Sequence, residues 1–311
     1  MQAEAWSFDA GRSAGELLSF VAQMIPAGAI GFRYFALRSG LRAGTTGDSF
    51  HVAAARRAAL LALAFTIYRA WKILGGLPAQ AARRKMDSME LLTSDVSTAL
   101  SVLCIVAAVT GFALAWRGVR SGWALAAFGV VVSPFRSLLT GKPGGIVNPA
   151  HVLFAGLWIG TLFVLVVIGL TPLMRAEARE RRGTLAADMV NGFSPLALVS
   201  GGMVVLFGLI TAWTNLGSVP ALWSTPYGVM LIRKLIFVAV VFALGAWNWR
   251  RQRPTLGSDD AARSIRKSSM TELAVAFVVL LLTSVLVTMP APAEKGRFAG
   301  PPGPPPPGAP R

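Results

Sequence analysis

Charge is the first thing this sequence is short of. Asp, Glu, Lys and Arg make up 14% of its 311 residues, where soluble domains carry about 25%. That deficit, with 54% hydrophobic residues, places most of the chain in lipid. The single cysteine, Cys104, excludes an internal disulfide and a Cys-rich metal site. Histidine is nearly absent too, with only His51 and His151. A bis-His haem needs both ligands at one depth. The predicted spans put His51 in an inner loop and His151 near the outer end of span five, so haem is excluded. The stretch LLTGKPGG has Arg136 where a phosphate loop needs its first glycine, so no nucleotide is expected. Glu16, Asp95 and Glu272 each stand at the start of a predicted span and none inside one, which argues against a proton-coupled carrier. The N-terminus, MQAEAWSFDAGRSAGE, is acidic and lacks an early apolar run, so no secretory signal is expected.

What the chain does have is long apolar runs. Eight are predicted to span a membrane, at 17–37, 57–77, 96–116, 122–140, 150–173, 194–214, 228–248 and 271–289. Each suits about 30 Å of hydrocarbon at 1.5 Å per residue. The expected fold class is therefore all-α, a polytopic bundle of about eight transmembrane helices. The net charge of +16 falls in short clusters between apolar runs. That is a topology signal and not a nucleic-acid face. Lys and Arg favour the loops after spans one, three, five and seven by two to one, which predicts both termini outside. Trp116, Trp123, Trp213, Trp223, Trp247 and Trp249 fall at predicted span ends, as interfacial indoles do. Residues 1–147 form one expected four-span half and 148–290 a second. The run GPPGPPPPGAP within 291–311 predicts an extended, solvated tail.

Residues able to carry chemistry concentrate in the second half. His151 opens NPAHVLFAGLWIG, with Asn148 a plausible N-cap and Pro149 in the first turn. Two readings stay open: a first-turn polar residue near the interface, or an intramembrane ionisable group with a function. Trp158, seven residues on, shares its face, and the pair Gly156/Gly160 permits close helix packing. In span seven Tyr227, Lys234, Val241 and Asn248 recur every seven residues, a stripe polar except at Val241. Lys234 either snorkels or faces a cavity. Met203, Met230 and Met24 offer soft thioethers which, with an imidazole, suit Cu(I); packing is the commoner role of methionine.

Three segments, HVLFAGLWIG, FSPLALVSGGMVVLFGLITAW and TPYGVMLIRKLIFVAVVFALGAWN, resemble the copper-resistance D (CopD) family of bacterial inner-membrane proteins. The resemblance is clearest over residues 148–290. It implies an eight-helix bundle, not an enzyme, that moves copper ions across the inner membrane, often with a periplasmic copper carrier. It places His151, Trp158, Trp213, Tyr227, Lys234 and Asn248 at family-motif positions. It also shows departures: Lys142 stands where members commonly have a histidine, Asn148 where they often have an acid, and span one lacks a histidine. His151, Met203 and Met230 are the remaining metal candidates. The alternative is an accessory subunit of a larger membrane complex, keeping the bundle with a degenerate metal site.

Overall fold

The computed structural model describes residues 9–39, 49–140, 145–176, 179–252 and 258–291. The tail from residue 292 and Lys142 lie outside them. The regular structure of the described residues is all helical, with no strand. We number the main helices α1 (Ala10–Ala36), α2 (Ser49–Arg83), α3 (Val96–Trp116), α4 (Ser121–Val132), α5 (Val147–Arg175), α6 (Arg179–Leu216), α7 (Pro226–Gln252) and α8 (Asp259–Leu286). The protein is an all-α, multi-pass membrane protein.

Seven of these helices are long and apolar enough to cross a membrane; α4 is not. Its twelve α-helical residues rise only about 18 Å. At Ser133–Pro134 the chain tightens into a 3-10 helix, Ser133–Thr140, because proline has no N–H for the ladder and crowds the turn before it. The expected fourth span is thus a broken one. It still runs back along α3: Gly122 meets Ala115, and Gly129 meets Ala108 and Cys104, so closely that an added Cβ would strike backbone.

Local sequence sets the helix ends. Asp9 accepts from the Arg12 N–H at 2.9 Å and caps α1. Ser258 accepts from Ala261 N–H at 3.1 Å, with Asp259 and Asp260 in the first turn of α8, where carboxylates complement the helix dipole. That cap starts α8 twelve residues before the expected 271. Glu272 therefore lies in mid-helix, not at a helix start. Glu16 likewise falls inside α1. Gly217, at φ +71°, ends α6 in the left-handed region. A second correction concerns His51, expected in an inner loop. It is 2% exposed in the first turn of α2, with its ring edge-on to Phe50.

Asp95 caps α3. It accepts the Thr98 hydroxyl at 2.7 Å and the Ser97 N–H at 3.3 Å, and lies 3.1 Å from Arg84. The Thr98 hydrogen bond, with help from Arg84, holds its carboxyl below the usual carboxylate range. A depressed acid stabilises the fold above its ordinary pKa of about 3.9, and that stability is lost as pH falls through the folded value. We expect Asp95→Ala to cost about 1 kcal/mol at neutral pH. The difference from wild type should vanish in acid, as followed by melting in detergent across pH.

The main core joins α1 to α5 and the N-terminal parts of α6 and α8, around Phe32, Phe112, Leu165, Leu170, Met189 and Ile265. Here α1 and α5 touch backbone to backbone. Gly28 lies on Gly160, and Gly156 on Met24 and Ala27. The Thr161 hydroxyl donates to the Gly28 carbonyl at 3.3 Å. Gly156 and Gly160 thus serve the close packing their spacing suggested. Of the six tryptophans expected at span ends, five are exposed, while Trp123 is buried edge-on against Phe112.

Candidate functional site

A cleft of about 350 Å³ lies between α6 and α7. Its back wall comes from Met24 of α1, His151 and Ala155 of α5, and Val279 and Thr283 of α8. At one end the Asn215 side-chain amide donates to the Tyr227 hydroxyl at 3.0 Å, tying α6 to the start of α7. At the other end the Trp158 and Phe242 rings meet, centroids 4.6 Å apart, beside Gly201. Between these ties, Val204, Val205, Gly208 and Leu209 of α6 face Leu231, Lys234, Leu235 and Val238 of α7 across the opening.

His151 is half-buried on the cleft wall. Its Nδ1 lies 3.0 Å from the Val204 carbonyl oxygen. A carbonyl can only accept, so Nδ1 carries the proton and Nε2 keeps its lone pair. Metal-ligating histidines commonly donate their other ring N–H in this way, to a backbone carbonyl that fixes tautomer and ring orientation. The approach to α6 is close: a Cβ at Gly208 would sit 3.1 Å from His151 Cε1, so the ring would have to give by a few tenths of an ångström.

The expected site residues divide into groups. His151, Trp158 and Lys234 share the cleft, and the methionine beside them is Met24. Met203 and Met230 do not line it. Met230 lines a separate pocket of about 470 Å³ with Trp223, Arg233 and Met289. Trp213 is 61% exposed. Asn248 lies beyond the Trp158–Phe242 contact, where its amide donates to the Glu272 carboxylate. Among the described residues no three His, Cys, Asp or Glu side chains gather to hold a metal. Sequence reasoning missed Asn215, Phe242 and Glu272. The Asn248–Glu272 pair depends on the rotation of α7 against α8, which hydropathy does not specify.

No solved structure matches the chain. It is 29% identical over 154 residues, 49% of its length, to the copper transport protein CutJ of Bacillus subtilis (strain 168), and spans only 26% of that relative. A family model described as Copper resistance protein D matches residues 187–286. That stretch covers all of α7 and α8 and most of α6, and so both faces of the cleft opening. Over residues 187–286, about a third of its length, the chain is thus similar to the copper-resistance D family.

Proposed function

We propose that this protein passes copper ions across the bacterial inner membrane, with His151 receiving the ion on the outer side. One observation carries the reading: the His151 ring is fixed by Val204 so that a free Nε2 lone pair is available at an intramembrane cleft. Cu(I) takes imidazole and thioether ligands, and Met24 is the thioether lining the same cleft. Met203 and Met230 would serve elsewhere along the route. The CutJ relative is named for copper transport, which supports a carrier and not a catalyst. In this reading both termini are periplasmic, the halves 1–147 and 148–290 form one bundle, and a periplasmic copper carrier delivers the ion. Expression in a copper-sensitive host tests it: copper content should change with the wild-type chain and not with His151→Ala.

The second reading is an accessory subunit with a degenerate metal site. The lack of a three-residue His, Cys, Asp or Glu group among the described residues favours it. Purification in mild detergent separates the two, because a stoichiometric partner with no bound copper supports the accessory role.

Gly208 offers a finer test. Gly208→Ala should push the imidazole off the Val204 carbonyl. Outer-shell losses cost metal sites about 10–100-fold in affinity. We therefore expect a drop of about tenfold in Cu(I) affinity, measured by chelator competition, with the melting temperature nearly unchanged.

A further inference from the structure

The cleft has a second property that copper does not explain. Lys234 contributes a positive charge to its wall, and no carboxylate pairs with it among the described residues. A cation in a low-dielectric wall is costly without a counter-charge. Nearly all the remaining lining is apolar. The rims face outward, since Val205, Leu209 and Leu235 are exposed, so the opening is lateral and lies between two membrane-spanning helices. Hydrocarbon from the bilayer has direct access to it.

We propose that the cleft holds one acyl chain of an anionic phospholipid drawn sideways from the bilayer, its phosphate paired with the Lys234 ammonium. Size and depth agree. At about 30 Å³ per water-sized group, 350 Å³ takes about a dozen methylene-sized groups. Lys234 lies about 12 Å along the axis from the start of α7 at Pro226, and its stem snorkels toward the headgroup layer. The Asn215–Tyr227 tie and the Trp158–Phe242 contact bound the cleft at its two ends. A single chain fits between them, lying along the apolar wall of Val204, Leu231 and Val238. Charge complementarity selects the anionic headgroup, because a zwitterionic lipid brings its own cation to the same place.

The test uses the full chain, purified in mild detergent with a copper chelator present. Its outcome is therefore independent of the copper reading. Native mass spectrometry would compare phosphatidylglycerol with phosphatidylcholine of the same acyl chains. One lysine near the surface is worth about 1 kcal/mol toward an anionic lipid, so the first phosphatidylglycerol should bind about fivefold more tightly. Lys234→Met should erase that preference. Ala239→Trp, which fills the cleft wall, should remove the first tightly held lipid of either kind. Equal binding of the two lipids by wild type would overturn the proposal, as would a preference that survives Lys234→Met. Should Ala239→Trp fail to fold, loss or survival of the preference in Lys234→Met decides alone.

Discussion

Replacing Gly28 with leucine is expected to leave little folded protein in detergent. A Cβ at Gly28 would fall within the Gly160 backbone, and at Gly31 it would meet the Thr161 hydroxyl. Neither neighbour is the free end of a flexible side chain, so the helices can only separate. Separation would break the Thr161 to Gly28 hydrogen bond and open the core that Phe32 and Leu165 fill. Overpacking commonly costs about 1–3 kcal/mol and sometimes more. Here the cost should sit at the upper end, because backbone opposes backbone. Membrane helices gain little from apolar burial against one another and rely on close packing. Fluorescence-detected size exclusion would report the result as loss of the monodisperse peak. Gly202→Leu is the matched control, since a Cβ there meets nothing within 4 Å; it should elute as wild type.

His151→Ala should reduce Cu(I) affinity by at least about a hundredfold. Loss of an outer-shell partner alone costs about 10–100-fold, and this change removes the imidazole itself. Met24→Leu, which keeps the side-chain volume, should weaken binding less. Met203→Leu should leave binding at the cleft unchanged, because Met203 does not line it. Chelator competition under anaerobic conditions measures all three. Equal losses in Met203→Leu and Met24→Leu would show that the cleft is not the binding place.

Much of this protein could be read from its residues. Apolar runs fix the spans, since lipid leaves the backbone no partner but itself. The heptad stripe of α7 places Tyr227, Lys234 and Asn248 on one side of that helix. What hydropathy cannot see is a helix that outruns the membrane. The extra turns of α6 and α8 carry Leu185, Met189 and Ile265 into the main core and place Asp259 2.5 Å from Arg263. Charged residues there resemble a loop, which is why Glu272 reads as a helix start, while its contact with Asn248 depends on helix rotation that sequence does not give. Pro134 was visible, yet proline inside an apolar run is tolerated in membranes, as Pro26 in α1 shows. Sequence therefore could not say which proline would break its span. The choice among Met24, Met203 and Met230 was closed to sequence for another reason. They lie on three helices, and only the packing of α1 on α5 brings Met24 to the wall shared with His151.

Copper movement in sealed proteoliposomes tests the central claim most directly. A Cu(I)-responsive probe would be enclosed in the lumen and copper added outside. Wild-type protein should produce a time-dependent signal well above empty vesicles, and His151→Ala should reduce it to the empty-vesicle rate while inserting equally well. Entry that is the same with wild type, His151→Ala and no protein would contradict the account.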